Sequence, residues 1–169
     1  MSIPPGTVTP GKDARVMPKH AFGSVADIVA FAIEREKEAA AGYGRMAGLA
    51  VTPGLKEFLL SLQKDEEAHR ELLESLTDAQ LKDLTPGFSA DLRIVDFMVD
   101  EPLSGDMTLQ ELLIFAAQKE KKAVELYSKL AGMAESAAQR GVFEFLAGQE
   151  RAHKLKIEAE YEKIVLPEN

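Results

Sequence analysis

The chain repeats itself at an offset of 84 residues, and this constrains its fold more than any other feature. Ser24 and Thr108 are candidate helix caps separated by that interval, and so are Thr52 and Ser136. Tyr43 matches Tyr127, Ala47 matches Ala131 and Leu62 matches Leu146 at the same offset. Around these landmarks apolar residues recur at the three-to-four spacing of amphipathic helices, and β-type alternation is almost absent.

Four helices are predicted. The first runs from about Ser24 to Ala50, capped by Ser24 with Asp27 in its first turn, and has Val25, Ile28, Val29, Ala32, Ala39, Ala40, Tyr43, Met46 and Ala47 on its apolar face. The second opens at Thr52 with Pro53 in the first helical position, and buries Leu55, Phe58, Leu59, Leu62, Leu72, Leu73 and Leu76. The third starts with the capping box Thr108-Leu-Gln-Glu111, and its face includes Leu112, Leu113, Ala116, Ala123, Val124, Tyr127, Leu130 and Ala131. The fourth starts with Ser136-Ala-Ala-Gln139 and is expected to bury Val142, Phe145, Leu146, Ile157, Tyr161 and Ile164.

Links of a few residues within each pair make two antiparallel hairpins, at about 24–76 and 108–164. The fold class expected is therefore all-α, a four-helix bundle of two repeated hairpins joined by the long crossover 77–107. That crossover offers a helical turn or two over 78–84, then Pro86-Gly87, then the apolar stretch from Leu92 to Val99. Such a stretch is too apolar for a free linker, so it should lie along the bundle and return along its length. Residues 1–20 hold four of the eight prolines and read as a flexible tail preceding the bundle at 21–169.

Each apolar stripe is interrupted by charge. Glu36 sits between Ala32 and Ala39, and Glu120 between Ala116 and Ala123. Glu66 and His69 follow Leu59 and Leu62, and Glu150 and His153 follow Leu146. A buried, uncompensated carboxylate costs several kcal/mol, and four together would exceed the stability of an ordinary domain. Multivalent cations neutralise such a layer: four carboxylates balance two divalent ions, and each imidazole adds a neutral nitrogen.

The repeat selects the same six residues independently. Glu36 maps to Glu120, Glu66 to Glu150 and His69 to His153, whereas Glu34 maps to Gln118, Glu38 to Lys122 and Glu67 to Arg151. The latter acids are assigned to solvent. Glu66/His69 and Glu150/His153 are i, i+3 pairs, one turn apart on one face, so each pair can meet one ion or chelate one and bridge to another. Two helices contributing Glu and two contributing Glu-x-x-His is the arrangement of di-iron and di-manganese carboxylate bundles. Oxygen-plus-imidazole ligation without thiolate suits iron or manganese, and zinc also fits. Tyr43 and Tyr127 lie two turns beyond Glu36 and Glu120, either as core aromatics or as donors that orient the ligands.

Composition narrows the alternatives. The formal charge of −8 opposes a nucleic-acid binder and a basic membrane-surface helix. There are no cysteines, which excludes disulfides, thiolate zinc sites, iron–sulfur clusters and cysteine nucleophiles. No apolar run approaches membrane-spanning length. Prolines stand where a signal peptide would have its apolar stretch, so the cytoplasm is the expected compartment.

The set Glu36…Tyr43, Glu66-Glu-Ala-His69, Glu120…Tyr127 and Glu150-Arg-Ala-His153 resembles the ferritin-like di-iron domain of the rubrerythrins over about residues 22–164. The resemblance implies a ferritin-like bundle holding two iron ions. Glu36 and Glu120 would be the ligands of the first and third helices, Glu66 and Glu150 would bridge, and His69 and His153 would bind one iron each. It implies a non-haem di-iron oxidoreductase that reduces hydrogen peroxide or reacts with O2 in oxidising Fe(II), under oxidative stress, often as a homodimer or larger assembly. Non-catalytic iron storage, delivery or sensing is the alternative. Two departures bear on activity. Full rubrerythrins add a rubredoxin-like domain with four cysteine ligands, absent here, so the electron donor must be external. Peroxidase members also carry an additional carboxylate one turn after the third-helix Glu, where this chain has Ala123, with repeat mate Ala39.

Overall fold

The computed structural model describes residues 24–76, 97, 99 and 106–166. Within them the chain forms α1 (Val25–Leu49), α2 (Pro53–Glu74), α3 (Leu109–Met133) and α4 (Ala137–Val165). The tail and most of the crossover, including the turn expected over 78–84, lie outside the described residues. Each helix begins where a side-chain oxygen satisfies an otherwise orphaned backbone donor. Ser24 accepts from the Asp27 amide, Thr52 from Leu55, Thr108 from Glu111 and Ser136 from Gln139. At α3 the box is reciprocal, because Glu111 also accepts from the Thr108 backbone amide at 2.8 Å.

α1 packs on α2 and α3 on α4, while α1 meets α3 and α2 meets α4 across the bundle. The apolar core falls into two clusters at opposite ends. One combines the start of α1 (Ile28, Val29, Ala32), the end of α2 (Leu73), the end of α3 (Leu126, Tyr127, Leu130) and the start of α4 (Phe143, Leu146). The other combines the end of α1 (Tyr43, Met46), the start of α2 (Leu55, Leu59, Leu62), the start of α3 (Leu113, Ala116) and Ile157 of α4. Exchanging the hairpins exchanges the clusters, so the repeat becomes an approximate two-fold axis perpendicular to the helices.

This arrangement sets the directions. α1 and α4 run one way, α2 and α3 the other. The crossover therefore leaves α2 at one end and enters α3 at the opposite end, which accounts for its length. Phe97 from the crossover is buried in the first cluster.

Two core expectations are corrected. Phe145 is 53% exposed, and Phe143 is wholly buried in its place. In α3, Leu126 is buried where Val124 was expected, and Val124 is half-buried. At α4 the polar pair decides the register. Glu150 and His153 must face inward together, and Phe143, Leu146 and Ile157 continue that stripe at helical spacing, whereas residue 145 falls on another side.

Candidate metal centre

Between the two apolar clusters lies a layer of six polar side chains, one Glu from each of α1 and α3 and a Glu-x-x-His from each of α2 and α4. Glu36, Glu66, His69, Glu120, Glu150 and His153 are each at most 4% exposed. They group as two overlapping sets. In one, an atom from each of Glu36, Glu66, His69 and Glu150 lies within 4.8 Å of all the others; in the second, Glu66, Glu120, Glu150 and His153 do the same. Glu66 and Glu150 belong to both sets.

Both histidines aim Nδ1 into the layer. His69 Nδ1 lies 3.0 Å from Glu150, 3.5 Å from Glu66 and 3.7 Å from Glu36. His153 Nδ1 lies 2.8 Å from Glu66, 3.2 Å from Glu150 and 3.9 Å from Glu120. Despite these approaches, both Nδ1 atoms, one Glu66 oxygen and both Glu150 oxygens are buried without a hydrogen bond of acceptable geometry. Buried polar groups are nearly always satisfied, so converging orphans on one locus are the signature of an ion's donor set. The chemistry of the set fits iron or manganese, with zinc also compatible.

The electrostatics describe what the layer does without a cation. Burial, followed by the Glu66 carboxylate, pushes Glu36 well above the usual range, and burial with Glu150 and Glu66 does the same to Glu120. Burial also pushes Glu66 up, but contacts from Glu36, His153 and His69 outweigh it and hold Glu66 down at about 2. At Glu150, burial and the Glu66 charge raise while His153, His69 and Glu120 lower, and the lowering wins. Burial pushes the imidazoles down, but Glu150, Glu36 and Glu66 lift His69 to about 12, and Glu150 with Glu66 lifts His153 to about 9. Without a cation the imidazoles are thus pushed toward their charged form and the outer two carboxyls toward their protonated form. Cations bound there would displace protons from these groups, so metal binding and proton release are linked.

The tyrosines cross the bundle. Tyr43 of α1 donates its hydroxyl to Glu120 of α3, and Tyr127 of α3 donates to Glu36 of α1. Both readings of these residues hold together, since they are core aromatics whose hydroxyls orient the outer carboxylates. Burial, then the facing carboxylate, pushes both phenols up, which keeps them protonated as donors.

One contact departs from the two-fold. His153 Nε2 lies 3.3 Å from Asp65 of α2, and the repeat mate of Asp65 is Gln149. Sequence reasoning missed Asp65. It flanks Glu66 like any other helix-surface acid, and only the packing of α2 on α4 brings it to an imidazole in the other hairpin. The acids assigned to solvent behave otherwise: Glu34 accepts from Lys37, Glu38 pairs with Arg35 and Lys119, and Glu67 accepts from Gln63 at 3.5 Å.

A cavity of about 580 Å³ lies between α1 and α3 and reaches Glu36, Glu66, Glu120 and Glu150. Its walls include Phe31, Leu112, Phe115 and Leu126, together with Ala39 and Ala123. Small side chains at these two positions leave open the space beside the carboxylates.

Fold and site together define a four-helix bundle of the carboxylate–histidine type, with its donors in two overlapping sets. The family model for rubrerythrin matches residues 27–161, and the chain belongs to that family. It is similar to a structure from Thermotoga maritima described as a ferritin-like diiron-carboxylate protein, at 23% identity and a TM-score of 0.67, over 85% of this chain and 98% of that one. It is also similar to a hypothetical protein from Pyrococcus furiosus, at 24% identity and a TM-score of 0.66, over 87% and 94% of the two chains. No curated protein matches the chain.

Proposed function

We propose that the protein is a di-iron oxidoreductase of rubrerythrin type that reacts with hydrogen peroxide or O2. Glu36, Glu66, His69, Glu120, Glu150 and His153 are its metal ligands, and Glu66 and Glu150 bridge the two ions. The observation that carries this reading is the pair of overlapping donor sets sharing those two carboxylates, with both imidazole Nδ1 atoms otherwise orphaned. Iron bound there would supply two one-electron reductants to an O–O bond.

The chain's own residues set the conditions for that chemistry. Glu36 and Glu120 are held by Tyr127 and Tyr43, so their orientation is fixed before any ion arrives. The apolar clusters on either side exclude bulk water, and the cavity between α1 and α3 is wide enough for peroxide or O2 to reach the carboxylates. An external electron donor and a homodimeric assembly belong to the same proposal.

The test is anaerobic loading with Fe(II) to two ions per chain, followed by stopped-flow mixing with peroxide and with O2. The loaded protein should react with at least one of them faster than free Fe(II) does; reaction with neither refutes the oxidoreductase. Ligation by Glu and His also requires that the metal leave below about pH 5, as these groups protonate. Retention of metal at pH 4 would exclude this ligand set.

A second reading is iron handling without turnover, and one observation favours it. Ala123, whose repeat mate is Ala39, stands where the peroxidase members carry an additional carboxylate. In that case Fe(II) binds and is released, but peroxide is not consumed catalytically when a reductant is supplied.

A further inference from the structure

The cavity between α1 and α3 is far larger than peroxide or O2 requires. Its volume of about 580 Å³ is some nineteen times the roughly 30 Å³ that a water molecule occupies in the liquid, and it falls among sites that hold an organic molecule. The lining follows α1 from Phe31 to Leu49, about 27 Å at the helical rise, so the space is elongated. Phe31, Phe97, Leu112, Phe115 and Leu126 give it apolar walls, which water satisfies poorly and hydrocarbon satisfies well.

The two ends of the cavity differ. Ala39 and Ala123 line its middle, and Gly42 lies one turn farther along α1. A Cβ added at Gly42 would meet only an Arg45 side-chain nitrogen at 3.9 Å, and the repeat mate of Gly42 is Leu126. At the leucine end the lining residues Leu126 and Phe97 are buried and close the space. At the glycine end the lining residues Arg45 and Leu49 are exposed, so the cavity meets solvent there.

Charge is distributed just as unevenly. Above the four buried carboxylates, the charged lining residues among those described are Arg35, Arg45, Lys119 and Lys122 against Glu38 alone, in a chain of net charge −8. Glu38 of α1 pairs with Arg35 at 2.6 Å and with Lys119 of α3 at 3.6 Å, an ionic bridge between the helices at the level of the carboxylate layer. Arg35 and Lys119 also lie over the Phe31 and Phe115 rings, each 5.0 Å from the centroid. Lys122 pairs with Glu125. Arg45, at the open end, has no ion-pair partner among the described residues.

We infer that this cavity binds a medium-chain alkyl carboxylate, its head group on Arg45 at the open end and its chain running inward past Ala39 and Ala123 toward Phe31. A guanidinium receives a carboxylate through two parallel hydrogen bonds. The reverse orientation would bury the anion among aromatic rings and beside the four carboxylates. The assignment rests on the cavity and not on the oxidoreductase, so each can fail without the other.

Isothermal titration calorimetry with decanoate, decanol and acetate tests it. Decanoate should bind the purified protein saturably, one per chain, with decanol about tenfold weaker or worse and acetate not bound. Gly42→Leu and Ala123→Leu put side chains into the space and should each weaken decanoate about tenfold or more with wild-type helicity. Gly48→Leu, on an exposed part of α1 outside the lining, should bind as wild type does. Arg45→Glu should bring decanoate down to the level of decanol and leave decanol unchanged. Absence of saturable decanoate binding, or binding indifferent to both cavity-filling variants, would overturn the site. Equal affinity for decanol and decanoate would overturn the anionic head group. Decanoate binding that ignores Arg45→Glu, or that vanishes when a chelator strips the metal, would overturn the orientation.

Discussion

The two hairpins share an interior and differ outside. Inside, α1–α2 and α3–α4 superimpose in kind: Glu36 with Glu120, Glu66 with Glu150, His69 with His153 and Tyr43 with Tyr127. Each half completes the other, since Tyr43 holds Glu120, Tyr127 holds Glu36, and each histidine faces the Glu of the opposite hairpin's Glu-x-x-His pair. Outside, α4 exposes Phe145 and Leu155 where α2 has Ser61 and Glu71. Interior positions are tied to one another through the centre, so a change in one half leaves a buried group unpartnered in the other. Exterior positions answer only to solvent or to partners, and each hairpin is free to differ.

The comparison can be broken experimentally. The largest effect is expected from the shared carboxylates. Glu66→Ala or Glu150→Ala should strip most metal from both halves, read by elemental analysis after reconstitution. Glu67→Ala should retain two ions per chain, and retention by both Glu66→Ala and Glu67→Ala would mean that the inward register is wrong. His69→Ala and His153→Ala should instead lose metal mainly from one half each.

The next effect is on pH. Folding lifts His153 from an ordinary value near 6.5 to about 9. The folded metal-free protein therefore holds a proton between those values that the unfolded chain has released. The stabilisation is complete below pH 6.5 and is lost as pH rises through 9, so the apoprotein's Tm should fall over that window. Bound metal requires the unprotonated ring, and the Tm gained on adding metal should grow over the same window. A flat apoprotein Tm from pH 6.5 to 9 would contradict the charge assignment.

Smaller and more diagnostic is the tyrosine pair. Tyr43→Phe and Tyr127→Phe each remove the donor to one buried outer carboxyl, an expected cost of about 1–3 kcal/mol in chemical denaturation. The two costs should be similar if the halves are equivalent, and a large inequality would show that the two-fold is only topological. The smallest expected effect concerns Asp65, whose contact with His153 breaks the symmetry of the inner layer. Asp65→Asn should weaken metal binding about 10-fold in the half containing His153, with little change in the other half. Stepwise metal titration separates these, and equal weakening of both halves would show that Asp65 acts through general charge.

Much of the site was legible because its cause is local. A Glu-x-x-His on an apolar face, doubled at a constant offset, places its side chains by helical geometry alone, and burial of four carboxylates demands compensation in any fold. Phe145 was misjudged for the same reason that Glu150 was read correctly. Helical spacing defines relative faces but not which neighbouring stripe turns inward, and both Phe143 and Phe145 are apolar.

The amino-acid sequence by itself determined the four helices, their caps, the two-fold relation of the hairpins and the six polar residues of the inner layer, because these depend on intervals along the chain. Only the tertiary structure decided which tyrosine serves which carboxylate, that Asp65 reaches His153, that Ala39 and Ala123 leave a cavity beside the carboxylates, and that Phe145 and Leu155 of α4 face outward. Those depend on how separate helices are rotated and set against one another, and that follows from the packing of the whole bundle.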